Sequence, residues 1–128
     1  MNYTNKKVKK LIKSDVYRYY GKCGNFDLLK YYLRDSLIRF HVAFRMRQGS
    51  GLVKFIGIIL WKLNRRTKSI VLSPHTSVGY GLYIGHGGPI VVNPTTIIGN
   101  NVNLSQYTTI GSNHNKAAII GDFTYIGT

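Results

Sequence analysis

The sequence contains no glutamate, four aspartates and a single cysteine among 128 residues. One cysteine, Cys23, excludes an internal disulfide framework and a zinc site built from several cysteines, and it fits a reducing compartment. We therefore expect a cytoplasmic protein. The longest uninterrupted apolar stretch, Phe55–Trp61, is far too short to cross a bilayer, and the basic N-terminus lacks the apolar run of a signal peptide.

Basic residues are abundant, but they are confined to one half of the chain. The 18 Lys and Arg residues give a formal net charge of +14, and 17 of them precede residue 73. Residues 73–128 carry one lysine and one aspartate. This asymmetry predicts two chemically different parts, a basic helical region at 1–69 and a second domain at 70–128.

Apolar residues at helical spacing predict three helices in the basic half. The first covers residues 5–20. The second is a long helix over Asp27–Gln48, with Asn25 as its expected cap. Its apolar face carries Leu29, Leu33, Leu37, Phe40 and Phe44. Glycines at 49 and 51 end it, and the third helix is expected at Leu52–Asn64.

Three interpretations of the positive charge remain open at this point. It can be the solvated surface of a helical region. It can attract the chain to an anionic membrane surface, which Trp61 beside Lys62, Arg65, Arg66 and Lys68 suggests. Nucleic-acid binding is the third, but no recognition motif accompanies the basic helices, so we expect no nucleic-acid partner.

A six-residue repeat organises the second half. Every sixth position from Leu72 onward is aliphatic, in nine of nine cases. This count allows a two-residue insertion before the fourth position and a four-residue insertion before the eighth. These residues are Leu72, Val78, Ile84, Val92, Ile98, Leu104, Ile110, Ile120 and Ile126. A serine, glycine or asparagine follows each of them. This period is typical of a hexapeptide parallel β-helix, in which three short edges form each coil, and residues 70–128 supply about three coils.

One segment of this repeat, GLYIGHGGPIVVNPTTIIGNNVNLSQYTTIG at Gly81–Gly111, resembles the hexapeptide-repeat acyltransferases. Within them it is similar to the serine acetyltransferase family and its relatives in polysaccharide biosynthesis. Upstream, RDSLIRFHVAFRMRQ resembles the helical lead-in of the same group. The resemblance implies an α+β fold, with an N-terminal helical segment followed by a short left-handed parallel β-helix. It also implies acetyl-CoA as co-substrate, no metal, and a homotrimer with its grooves between subunits.

His86 is the candidate catalytic residue. It lies in Ile-Gly-His-Gly-Gly-Pro, where the two-residue insertion displaces the coil, and the flanking glycines leave its imidazole accessible. The alternative is a histidine that only decorates a turn. The resemblance aligns His86 with the family's catalytic histidine. It would then act as a general base that takes the proton of an acceptor hydroxyl during direct attack on the thioester.

The remaining site residues are implied by the resemblance. Main-chain contacts to the cofactor map to Gly111, Ser112, Gly127 and Thr128. Lys116 stands where the family has a substrate-contacting arginine, and His114 is the candidate substitute for a second histidine that is Ala117 here. The relatives also continue with further coils, so we expect a truncated product.

Two departures from the family pattern bear on the acceptor. Val71 and Gly85 occupy positions where serine acetyltransferases carry aspartates. Their loss weakens the case for L-serine, because its ammonium group favours a nearby carboxylate. The first expectation is a serine O-acetyltransferase-like enzyme. The alternatives are a sugar O-acetyltransferase of capsule or lipopolysaccharide assembly, and a non-catalytic trimeric β-helix scaffold.

Overall fold

The structure, a computed structural model, describes all of residues 1–128. Four α-helices form its first half: α1 Asn5–Tyr20, α2 Asn25–Arg34, α3 Ser36–Arg47 and α4 Gly51–Leu63, followed by a 3₁₀ turn at Arg65–Lys68. Helix α1 begins where the Thr4 hydroxyl accepts a hydrogen bond from the Lys7 amide, and it ends at Gly21 with a left-handed φ of 69°. Asn25, the expected cap, is instead the first residue of α2. Helix α3 lies at the centre of the helices and contacts the other three.

The single long helix predicted over Asp27–Gln48 is wrong, because the chain leaves helical geometry at Asp35. This residue has an extended backbone, with φ −120° and ψ 119°, and its carboxylate accepts a hydrogen bond from the Leu37 amide. The aspartate therefore caps α3 rather than continuing α2. As a consequence Leu29 and Leu33, expected on the apolar face of the long helix, are exposed to 56% and 69%.

Eleven short strands form the second half. Their bounds are β1 Ile70–Val71, β2 Ser77–Val78, β3 Tyr83–Ile84, β4 Ile90–Val92, β5 Ile97–Ile98, β6 Asn103–Leu104, β7 Thr109–Ile110, β8 Ser112–Asn113, β9 Lys116–Ala117, β10 Ile119–Ile120 and β11 Tyr125–Ile126. Nine of them build three parallel sheets, named here A (β1, β4, β7), B (β2, β5, β10) and C (β3, β6, β11). The chain visits A, B and C in turn and then returns to A, so it winds as a coil with three faces. Helices followed by stacked parallel strands are thus confirmed.

The strand register shows where the two insertions fall. Val91 pairs with Thr109, which lies three uninterrupted hexads further along the chain. Ser77 pairs with Ile97, a separation of three hexads plus the two-residue insertion. Ile97 pairs with Ile119, a separation of three hexads plus the four-residue insertion. Each insertion therefore lengthens one coil while the strands stay in register. The left-handed sense of the winding and the domain boundary at residue 69 stay predictions.

The interior of the coil contains the residues that the repeat predicts. All nine repeat aliphatics belong to one hydrophobic cluster or pack against it; Ile110 and Ile126, near the open end, are only partly buried. Phe40 and Phe44 of α3 are fully buried in the same cluster. The helices and the coil therefore share a core.

A buried ion pair joins the helices to the first coil. Arg45 of α3 donates from Nε and Nη2 to the two carboxylate oxygens of Asp15, at 2.7 and 3.0 Å. Its remaining N–H groups donate to Gln48 Oε1 (3.1 Å) and to the carbonyls of Val78 (3.0 Å) and Gly79 (2.6 Å). All five guanidinium donors are therefore paired, as a fully buried arginine requires.

Asp15 is equally well satisfied. Besides Arg45, it accepts hydrogen bonds from the Leu82 amide (2.9 Å) and from His41 Nδ1 (3.2 Å). Burial by itself raises the pKa of the Asp15 carboxyl, but the charge of Arg45 and the hydrogen bonds from His41 and Arg45 outweigh it. The pKa of Asp15 consequently lies below its usual value of 3.8.

Replacing Asp15 by asparagine tests this contact. Asp15→Asn leaves the Arg45 charge buried without a counter-ion, so we expect the free energy of unfolding at pH 7 to fall by about 3–5 kcal/mol. Urea denaturation measures this loss. The pKa of Asp15 is lower in the folded state than in the unfolded state. Its contribution to stability is therefore complete at a pH above the unfolded-state pKa, and it is lost as the pH falls through the folded-state pKa. The Asp15→Asn variant will lack this acid-sensitive part of the free energy of unfolding.

Asp27→Asn is the matched control. Asp27 pairs with the largely exposed Lys22 at 3.9 Å. Its substitution is expected to cost less than about 1 kcal/mol. Equal losses in the two variants would contradict a special role for the buried pair.

Candidate active site

The predicted site residues are divided between two corners of the coil. The segments that join sheet A to B, B to C and C to A are named the AB, BC and CA corners. His86, Gly127 and Thr128 lie at the CA corner, after β3 and β11. The AB corner, after β7, holds the other predicted residues: Gly111, Ser112, His114 and Lys116.

His86 is exposed at the first CA corner, on the segment between β3 and β4. Its φ of 57° lies in the left-handed region, as do those of other corner residues such as Tyr107 (64°) and Phe123 (60°). Glycines flank it on both sides. The imidazole is therefore held out from the coil and is accessible to a ligand.

Arg66 packs against the same corner from the 3₁₀ turn. A Cβ on Gly87 would lie 2.6 Å from Arg66 Nη1, and the φ of 75° at this residue favours glycine. The arginine is fixed by its Nε, which donates to Ser36 Oγ, and by its amide, which donates to Asn64 Oδ1, both at 2.9 Å. A positive charge thus lies beside the residue that follows His86.

The next coil adds two residues that the sequence did not single out. The Tyr107 amide donates to the Pro89 carbonyl at 2.6 Å, which stacks this corner on that of His86. The Tyr107 side chain is 72% exposed. Gln106 Oε1 is buried and accepts no hydrogen bond from the protein. Their segment, Ser-Gln-Tyr-Thr, has the composition of an ordinary corner and carries no signal of its own.

Gly127 and Thr128 occupy the same corner one coil further on. Successive coils are joined there by main-chain hydrogen bonds of 2.9 Å, from the Gly85 amide to the Leu104 carbonyl and from the Ser105 amide to the Ile126 carbonyl. Two steps of the sheet spacing place Gly127 roughly 10 Å from Gly85.

The four-residue insertion forms an exposed hairpin at the AB corner. Strands β8 and β9 pair in antiparallel fashion, with Asn113 opposite Lys116. His114 and Asn115 form the turn with φ of 50° and 61°, the signature of a type I′ turn. Both predicted substrate residues are displayed on this hairpin. Within one chain they are not brought to the corner that carries His86.

Tyr19 of α1 supports the strand that leads into the His86 corner, from the free edge of sheet C. Its hydroxyl accepts a hydrogen bond from the Ile84 amide at 2.8 Å and lies 3.0 Å from the Ile84 carbonyl and 2.9 Å from His41 Nε2. Burial raises the pKa of Tyr19 far above its usual value, so the hydroxyl stays protonated. A chain of contacts therefore runs from Asp15 through His41 and Tyr19 to the residue two places before His86.

An open groove of about 380 Å³ lies along sheet C. It is lined by Arg18, Asn101, Asn103, Phe123 and Tyr125. Phe123 and Tyr125 are exposed to 77% and 68%. Arg18 is fixed by hydrogen bonds to the Gly81 carbonyl (2.9 Å) and to Asn103 Oδ1 (2.5 Å). The groove thus combines aromatic faces with amide groups and one cation.

No three His, Cys, Asp or Glu side chains converge in a way that could hold a metal ion. None of the helices combines the length and the apolar character needed to span a membrane.

The Tyr19 contact predicts a local effect. Tyr19→Phe removes the acceptor of the Ile84 amide, so we expect hydrogen exchange of this amide, followed by NMR, to accelerate about two- to tenfold. This corresponds to a hydrogen bond of about 0.5–1.5 kcal/mol. Tyr20→Phe is the control, because the Tyr20 hydroxyl donates to Asp35 Oδ2 instead. If Ile84 exchanged at the same rate in both variants and in the wild type, Tyr19 would not support the corner.

Comparison with known proteins gives matches in structure only. No protein-family model matches the sequence, and no curated protein matches it. Two solved structures of the serine acetyltransferase CysE from Neisseria gonorrhoeae superpose on 96% of this chain. One of them, in complex with serine, gives a TM-score of 0.65 at 20% identity, and the other gives 0.63 at 19%.

The chain spans about half the length of these neighbours, 53% and 50% respectively. At this level of identity the likeness shows the fold: the helices and the coiled parallel sheets are arranged as in serine acetyltransferase.

Proposed function

We propose that this protein is an acetyl-CoA-dependent O-acetyltransferase in which His86 is the general base. The observation that supports it most is an exposed imidazole between glycines, at the corner where the two-residue insertion interrupts the coil. Tyr19 fixes the strand that leads into this corner, through the main chain of Ile84.

The proposed reaction needs one proton acceptor and no covalent enzyme intermediate. The acceptor hydroxyl loses its proton to the His86 imidazole as its oxygen attacks the thioester carbonyl. The tetrahedral intermediate then collapses, the carbon–sulfur bond breaks, and the proton returns to the departing coenzyme A thiolate. Neutral imidazole suits this task near neutral pH, and such proton transfer contributes about 10²–10⁴-fold to the rate.

The cofactor would be bound by main-chain groups at Gly111, Ser112, Gly127 and Thr128. Pantetheine is an amide chain, so amides at a coil corner can pair with it as they would with a strand. These residues lie at the AB and CA corners, and one chain does not bring them together. A homotrimer in which the AB corner of one subunit meets the CA corner of its neighbour would complete the groove, with Lys116 and His114 contributing to substrate binding. This assembly and the left-handed coil follow the resemblance stated above.

L-serine is the first candidate acceptor, because the fold is that of serine acetyltransferase. We assign the reaction to the cytoplasm, and we assign residues 70–128 as the catalytic domain with 1–69 as its helical support.

A sugar hydroxyl is the second candidate acceptor, and two observations favour it. None of the four aspartates is available at the CA corner: Asp15 is buried in its ion pair, Asp27 and Asp35 lie at the two ends of α2, and Asp122 lies at the BC corner. The ammonium group of serine therefore lacks a carboxylate partner. The groove on sheet C instead offers exposed aromatic faces beside amide groups, a combination that suits a sugar ring.

Release of coenzyme A tests the role of His86. With L-serine or a nucleotide sugar as acceptor, His86→Ala is expected to lower kcat about 10²–10⁴-fold, because it removes the base without changing the fold. Lys30→Ala is the control, since Lys30 is exposed on α2, away from the AB and CA corners. It should keep full activity.

Two results would change the assignment. Coenzyme A release that survives His86→Ala unchanged would remove His86 from the mechanism. A wild-type protein that releases no coenzyme A with either acceptor would favour the non-catalytic scaffold.

The sheet C groove makes a separate prediction about the acceptor. Phe123→Ala removes an exposed aromatic face, so KM for a nucleotide sugar should rise about two- to tenfold while KM for acetyl-CoA stays unchanged. Ile119→Ala is the control, because Ile119 is equally exposed at 77% but lies on sheet B. A rise of the same size in both variants, or none in either, would count against a sugar in this groove.

A further inference from the structure

Helix α4 presents an apolar stripe that nothing in the chain covers. Its members recur at intervals of three and four residues, which places them on one side of the helix. They are Leu52, Phe55, Ile56, Ile59 and Leu63, exposed to 72%, 59%, 38%, 44% and 78%. We call this set the α4 face. Five large apolar side chains on 13 residues exceed the scattered exposure expected of a soluble surface.

The opposite side of α4 is fixed against the helical core. Gly57 is buried so closely on α3 that a Cβ there would lie 2.7 Å from the Arg47 backbone nitrogen. Val53 and Leu60 pack against the cluster formed by α1, α2 and α3. The helix therefore cannot rotate to bury the α4 face without losing these contacts.

Positive charge continues from the end of this stripe. Lys62 lies in the last turn, and Arg65 and Lys68 follow in the 3₁₀ turn. No acidic residue occurs between Asp35 and Asp122, so no carboxylate close in sequence neutralises these cations. An apolar stripe next to unpaired cations matches the interface of an anionic lipid bilayer, which is apolar inside and negatively charged at its headgroups.

A second copy of the chain fits this surface poorly. A parallel two-fold contact between α4 faces would place the cations of one copy near those of the other. An antiparallel contact would place them at the first turn of the other α4, which has no acidic residue. A 13-residue helix is about 20 Å long, which is too short to cross the roughly 30 Å hydrocarbon layer but sufficient to lie along its surface.

We propose that the protein binds peripherally to membranes containing anionic phospholipids, with the α4 face embedded at the interface and Lys62, Arg65 and Lys68 at the headgroups. This inference is independent of the proposed acyl transfer. It gives α4 a role that catalysis does not require.

Vesicle flotation with the full chain tests the proposal. Vesicles of equal parts phosphatidylglycerol and phosphatidylcholine should bind the wild type at least tenfold more tightly than phosphatidylcholine alone, because each cation near an anionic surface strengthens binding roughly fivefold. Ile56→Ser/Ile59→Ser should lower the affinity more than tenfold. Arg65→Glu/Lys68→Glu should abolish the preference for the anionic vesicles.

The matched control is Ile97→Ser/Ile119→Ser, the same chemical change at exposed positions on sheet B (46% and 77%). This variant should bind like the wild type, and circular dichroism checks that all variants remain folded. Wild-type protein that ignores anionic vesicles at low salt would overturn the proposal. An Ile56→Ser/Ile59→Ser variant that still binds the vesicles fully would also overturn it. If the wild type bound no vesicles and this variant dissociated an oligomer, the α4 face would be assigned to a second copy.

Discussion

The ion pair between Arg45 and Asp15 is the contact on which the rest of the structure depends. A buried arginine is tolerated only when every donor is satisfied, and here two of its acceptors are the carbonyls of Val78 and Gly79 in the first coil. Neither helices nor coil can complete this set alone. A coil of about three turns has few neighbours to stabilise it, so the helices covering its first turn supply contacts that a longer repeat would take from further coils.

The insertions explain how a regular coil acquires a site. Where the repeat runs without interruption, as between Val91 and Thr109, paired strands are separated by three hexads and the corners are tight. The two-residue insertion opens the corner that carries His86, and the four-residue insertion builds the hairpin with His114 and Lys116. The proposed base and the proposed substrate-binding residues therefore lie at the places where the period fails. The core beneath remains continuous, so the site can vary without loss of the fold.

The coil could be predicted from sequence because its signal is local. Aliphatic residues in steps of six reflect a backbone that returns to the core at each edge, and the nine predicted residues lie in or against that core. The apolar spacing does not predict the break at Asp35, because a spacing that suits one long helix also suits two shorter ones. A capping aspartate is visible in the sequence but does not by itself outweigh that periodicity. The contacts of Asp15 with His41 and Arg45 join residues 26 and 30 positions apart. Such pairing depends on tertiary packing. The one indication of it in the sequence is that Asp15 is an acidic residue within a basic segment.

The most direct measurement of the central claim is NMR of the histidine rings during titration with coenzyme A. The chain has four histidines, which occupy distinct places: His41 is buried behind the first coil, His75 lies at an AB corner, His86 at the CA corner and His114 on the hairpin. The account predicts saturable shifts of the His86 and His114 rings together, with the ring of the buried His41 unaffected. Saturable binding that leaves the His86 ring unshifted, or no shift of any ring at millimolar coenzyme A, would contradict it.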